Sequence, residues 1–81
     1  MLIPEARFRW VWRKLCRTWH LNGHCFIRGC GRETVAWWVR ESCHVLIPAW
    51  ECRTVLIEAI QRGWVTKHVN SSGHSIFKLM C

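Results

Sequence analysis

The stretch AIQRGWVTKHVNSSGHSIFKLM, residues 59–80, changes its period part-way along. Ala59 and Ile60 close an apolar run of helical spacing, and Gly63 interrupts it. From Trp64 onward apolar and polar residues alternate on both sides of Asn70-Ser71-Ser72-Gly73. A glycine just past a helical period marks a helix stop, because glycine takes the left-handed backbone that closes a last turn. Alternation around Asn-Ser-Ser-Gly marks two strands folded on a turn, since these residues tolerate turn backbone and can bond to it. The stretch therefore predicts a helix running into a hairpin, with strands at 64–69 and 75–79 joined over 70–73.

Upstream, PAWECRTVLIEAIQRG (48–63) supplies that helix. Pro48 suits a first turn, and the period predicts Ala49, Cys52, Val55, Leu56, Ala59 and Ile60 inward. Trp50, Thr54, Ile57, Glu58 and Gln61 are predicted outward. GRETVAWWVRESC (31–43) predicts a second helix with Val35, Trp38, Val39 and Ser42 on one face and Trp37 beside Arg40 and Glu41 on the other. HVLIP (44–48) separates the two, because a residue before proline is driven out of helical backbone. HCFIRG (24–29) predicts a brief strand, Cys25 to Arg28. PEARFRWVWRKLCRTWHLNG (4–23) predicts a first helix that buries Phe8, Val11, Trp12, Leu15 and Trp19. Its opposite side gathers Arg13, Lys14 and Arg17, with Trp10 among them.

Eighty-one residues make one domain, spanning 1–81, near the lower limit at which a hydrophobic core alone holds a fold. A composition 51% hydrophobic with seven tryptophans supplies that core. The net charge of +7 and pI near 9.7 favour an anionic partner. Residues 1–20 set Arg7, Arg9, Arg13, Lys14 and Arg17 against Glu5 alone. Over 32–62 the charges cancel: Arg32, Arg40, Arg53 and Arg62 face Glu33, Glu41, Glu51 and Glu58. The basic surface is expected on the first helix, at Arg28, and in the hairpin near Lys67 and Lys78. No apolar run reaches the length of a membrane span, and Glu5, Arg7 and Arg9 break any signal-peptide core. The expectation is a cytoplasmic protein with no membrane partner, whose six cysteines serve as small hydrophobes. Their even number keeps a disulfide framework as the alternative.

The order helix, strand, helix, helix, strand, strand resembles the winged helix-turn-helix family, and LIEAIQRGWVTK (56–67) resembles the join between that family's third helix and its wing. The resemblance covers nearly the whole chain as topology and implies an α+β winged helix with a C-terminal two-stranded wing. A local resemblance competes: ETVAWWVRESCHVLIP (33–48) is similar to the recognition-helix segment of small phage excisionases and their MerR-like relatives. That similarity would turn Arg32, Thr34 and Trp37 toward DNA, whereas the whole-chain resemblance gives this role to the third helix. The stretch ESCHVLIPAW departs from the family in being longer than its usual tight turn.

These resemblances imply a non-catalytic DNA-binding protein of phage or mobile-element type, regulatory or architectural. Phosphate contacts are expected from Arg13, Lys14 and Arg17, a stacking contact from Trp10, and wing contacts from Lys67, His68, Asn70, Ser71 and His74. Arg53, Thr54 and Gln61 are types that read base edges, while Glu51 and Glu58 repel phosphates. The rival expectation is a phage-type inhibitor that grips a host nucleic-acid-handling complex, such as a CRISPR effector, nuclease or polymerase. Its interface would be Trp37, Trp50, Ile57 and Gln61. A homodimer stays open in either case.

Cys16, His20, His24, Cys25 and Cys30 form the one metal-like grouping, but no Cys-x-x-Cys pair is present and Gly23 divides it. The expectation is a fold without zinc or other cofactor. An enzyme is not expected. The chain has no Asp and no Tyr, no phosphate-cradling glycine loop and no nucleophile elbow, and Cys43-His44 are helix neighbours that do not face each other.

Overall fold

Pro4, with its extended ψ of 145°, starts α1 (Glu5–Leu21) and takes the Phe8 N–H on its carbonyl at 2.9 Å. A computed structural model of the chain describes residues 3–22, 26–29 and 34–80. At the other end Asn22 caps the helix, and its amide donates to the Thr18 carbonyl and to Ser42 Oγ at 2.7 and 2.9 Å. One asparagine thereby ends α1 and ties it to α2 (Val35–Cys43). Thr34 opens α2 by accepting the Trp37 N–H at 3.2 Å. That satisfies one of the donors every helix start leaves exposed.

His44 closes α2 in left-handed backbone, φ 56°, and the chain reaches α3 (Ala49–Gln61) through Val45–Pro48. Gly63, at φ 80°, ends α3. Its N–H donates to the Ile60 carbonyl at 3.0 Å and that of Trp64 to Ala59 at 2.9 Å, the paired bonds of a Schellman stop. The chain then enters β2 (Val65–Val69), turns over Asn70–Gly73 and returns as β3 (Ser75–Leu79). The short strand β1 (Phe26–Arg28) pairs with the far side of β3, so the antiparallel sheet runs β1-β3-β2.

The result is a small α+β domain of three helices and a three-stranded antiparallel sheet. Phe8, Val11, Leu15 and Trp19 bring one stripe of α1 into the core, where they meet Val39, Val55, Leu56, Ala59, Ile27 and Val65. The Trp19 indole N–H donates to the Phe77 carbonyl at 3.1 Å, and Trp12 packs between Trp19 and Trp64 with centroids 6.0 and 5.2 Å away. Aromatic burial thus fastens α1 to the base of the hairpin. Among the described residues no helix is long and apolar enough to cross a membrane.

Three expectations shift. Ala49, expected inward, is exposed at the first position of α3, whereas Glu51 and Cys52 later in the same turn are buried. Trp12 is half-buried, covered mainly by other rings. Strand β2 begins at Val65, since Trp64 still belongs to the helix stop. Cys25 lies outside the described residues, and so do His24 and Cys30 of the metal-like grouping. Among the described residues no three His, Cys, Asp or Glu side chains lie together as metal ligands would.

Candidate nucleic-acid interface

The charges sort themselves before any surface can be drawn. Glu5 pairs with Arg9 at 3.3 Å, Glu41 with Arg40 at 3.4 Å, Glu58 with Arg62 at 2.9 Å and Glu51 with Arg7 at 2.6 Å. Each glutamate of the described residues is therefore spent on an arginine. Arg13, Arg17, Arg28, Arg53, Lys67 and Lys78 have no such partner among the described residues.

The Glu51 pair matters most for α3. Glu51 is only 7% exposed, and both Nε and Nη2 of Arg7 donate to its Oε1, at 2.9 and 2.6 Å. Arg7 in turn lies over the Trp10 ring, Cζ 4.5 Å from the centroid, with Lys14 Nζ at 5.6 Å. Trp10, expected as a free stacking surface, is half-buried and already clasped by two cations. Glu51, expected to repel phosphates, is turned toward α1 and neutralised. Glu58 lies on another side, beside Arg62, which itself sits 4.8 Å over Phe8 and 5.0 Å over Trp64.

What remains on the other flank of α3 is Arg53. It borders a groove of about 330 Å3 between α3, the start of α2 and the sheet. Val35, Ala36, Cys52, Leu56, Ile60 and Phe77 give the groove apolar walls, while Arg53, Lys67, Thr34 and Ser75 supply its polar atoms. No carboxylate lines it among the described residues. Lys67 reaches the groove because the register sets it opposite Phe77, and directly opposed residues share a sheet face. Gly29 keeps the groove's end narrow: a Cβ there would meet the Phe77 ring at 2.4 Å and Val35 at 3.1 Å. The thiol of Cys52 is 1% exposed and pushed up to about 11, by burial first and by the Glu51 charge second. It is a protonated, unreactive group at neutral pH.

The other expected contacts separate. Arg13 and Arg17 are exposed on the side of α1 opposite Trp19, hence away from the sheet that Trp19 touches. His68 alternates with Lys67 and so faces the sheet's outer side, with Arg28 and Lys78, its ring nitrogen 3.1 Å from Thr66 Oγ1. Asn70 is spent on the turn: its Oδ1 accepts the N–H groups of Ser72 and His74, each at 3.0 Å. Ser71 is exposed at the tip and His74 half-buried beside it.

Thr54 returns its hydroxyl to the Trp50 carbonyl at 2.9 Å, which leaves Trp50, Ile57 and Gln61 as the exposed ridge of α3. Trp50 is 45% and Ile57 50% exposed. Trp37 does not join them, being half-buried edge-on against Trp38 at 5.1 Å. Thr34 serves as a helix cap, and Arg32 lies outside the described residues. The Cys43 thiol is turned into the α1–α2 seam, 3.6 Å from Thr18 Oγ1 and 3.5 Å from the Lys14 carbonyl, while His44 is exposed.

Two features escaped the sequence reading. The Arg7–Glu51 pair joins residues 44 positions apart and leaves no local signal. The Lys67–Phe77–Ser75 wall was recoverable, because the hairpin turn fixes the register that opposes Lys67 to Phe77 and Val69 to Ser75. No protein-family model, curated protein or solved structure matches the chain.

Proposed function

We infer that the protein is a non-catalytic winged-helix domain that binds duplex DNA through α3 and the β2–β3 hairpin, the hairpin acting as the wing. One observation carries this reading: Arg53 and Lys67 share a groove that no carboxylate of the described residues lines, while Glu51 and Glu58 are tied to arginines elsewhere. Phosphates dominate the affinity of DNA-binding proteins, and a cation already paired with a carboxylate has little to offer them. Arg28 and Lys78 extend the cationic surface over the outer side of the sheet, and Arg13 and Arg17 add long-range attraction from behind. Small size, basicity and the excisionase-like segment support a phage or mobile-element source, with a regulatory or architectural role.

The test is binding to a random duplex by fluorescence anisotropy across a salt series. Two contacts, from Arg53 and Lys67, predict a log–log slope of about −1.8, and each further phosphate contact steepens it by about 0.9. An affinity that is flat with salt overturns the reading. It would favour the second one, an inhibitor of a nucleic-acid-handling host complex, whose support is the exposed Trp50 and Ile57 on the ridge of α3.

A further inference from the structure

We propose that the groove between α3 and the sheet is a binding site for a small organic acid with a flat apolar body, and that such an acid competes with DNA for the protein. The binding stands on the groove alone; the competition rests on the DNA reading above.

The groove has two chemistries at once. Its walls are apolar, with Val35, Leu56 and the Phe77 ring among them, and two cations, Arg53 and Lys67, come from α3 and β2. Neither cation has an ion-pair partner among the described residues, and no described carboxylate enters the groove. Its volume of about 330 Å3 is enough for a fused-ring acid. Ligand sites of this kind are mostly apolar with a few placed polar groups. A guanidinium presents a planar fork that matches a carboxylate with two parallel bonds, and an ammonium adds a movable point charge. An apolar body with one carboxylate satisfies walls and cations together. A neutral ring would leave both cations to water, and a free inorganic anion would leave the walls wet. Because Arg53 and Lys67 are the residues assigned to phosphates, an acid seated between them removes DNA contacts.

The probes are 2-naphthoate and its uncharged analogue 2-naphthamide, titrated into the full chain by heteronuclear NMR. With naphthoate, saturable shifts are expected at the amides of Val35, Ala36, Arg53, Lys67 and Ser75, and naphthamide should bind at least about tenfold more weakly. Arg53→Gln should reduce naphthoate binding to the level of the amide. Ala36→Leu, which fills the groove from α2, should abolish it with the melt unchanged. Ser75→Val on the opposite wall replaces it if the melt falls. Equal binding of naphthamide overturns the proposal, as do shifts centred on Trp50 and Gln61 that survive the filling variants.

A second arm adds naphthoate to the protein bound to labelled random duplex. Release of duplex from the wild type, but not from Ala36→Leu, supports competition. Naphthoate that binds the groove without releasing duplex overturns that half. If naphthoate binds and duplex never does, the acid site stands and the DNA reading falls.

Discussion

Along the seam between α1 and α3 the cations are met by carboxylates: Arg7 of α1 by Glu51 across the seam, and Arg62, which caps α3, by Glu58 of its own helix, with aromatic rings beneath both arginines. Around the sheet the pattern inverts, and Arg28, Arg53, Lys67 and Lys78 stand without a carboxylate among the described residues. The first region uses charge to hold two helices together. The second leaves charge free for something outside the molecule. A net charge of +7 therefore says little about where an anion would land, because it counts the cations left after pairing and not where they lie.

The two classes of cation should differ most in DNA binding when each is removed in turn. Arg53→Ala with Lys67→Ala should weaken random-duplex binding on the order of 10- to 100-fold at low salt and flatten the salt slope by about 1.8. Arg9→Ala with Arg40→Ala removes the same formal charge from compensated pairs and should change affinity by no more than about twofold. Equal losses from both double variants would mean that net charge alone attracts DNA and that the groove has no special part.

The seam is probed next, from its buried end. Glu51→Gln keeps the shape of the side chain but withdraws the charge that two Arg7 donors share, and hydrogen bonds to charged groups contribute more than neutral ones. Thermal denaturation should show Tm lowered by about 5 °C or more, with DNA binding unchanged. A marked rise in DNA affinity would instead show that Arg7, once released, belongs to the DNA-facing surface.

How far the sequence foretold this division varies by element. The hairpin was legible almost to the residue because its signals are local: Gly63 must take positive φ, and Asn70 must bridge its own turn. The buried stripe of α1 was legible too, since Phe8, Val11, Leu15 and Trp19 repeat at the helical period. Charge was not legible in this way. Glu51 reads as a solvent-facing acid in the first turn of α3, and only the approach of Arg7 from α1 makes it an interior group. Trp10 and Trp37 were misplaced for the same reason, each covered by neighbours that the period of its own helix does not reveal. The groove needed three elements at once, so the sequence offered Arg53 and Lys67 as separate candidates and not as neighbours.

A smaller effect tests the floor on which the groove rests. Burial raises the Cys52 thiol from its ordinary 9.0 to about 11. Above about pH 9 the unfolded chain releases this proton while the folded chain holds it until about pH 11, so unfolding gains. The contribution is full below pH 9 and is lost as pH rises through that window. Denaturant midpoints should therefore fall more steeply between pH 9 and 11 for the wild type than for Cys52→Ala, whose remaining slope reports the other titrating groups. Parallel slopes would place Cys52 in contact with water and open the groove floor to solvent.

A small effect on duplex affinity is expected at Trp50, and its smallness is what decides between the two readings of α3. Trp50 is 45% exposed in the first turn of the helix and is itself outside the lining of the groove, although Ile57, its neighbour on the ridge, borders it. Trp50→Ala should lower stability by on the order of 1 kcal/mol, since more than half of the side chain is covered but it lies outside the core. Under the DNA reading, duplex affinity should also hold within about twofold, because the phosphate contacts come from Arg53 and Lys67 on the flank. Under the inhibitor reading the same change deletes a central aromatic anchor, and binding to a recovered protein partner should weaken by on the order of 2 kcal/mol or more. The basic residues would then mainly set the association rate. Measuring both affinities on one preparation, with Tm as the control, keeps the outcomes apart. Unchanged DNA binding with a large loss of partner binding moves the function to the ridge. A collapse of Tm would show that Trp50 is folded against the core, and would remove the ridge from either account.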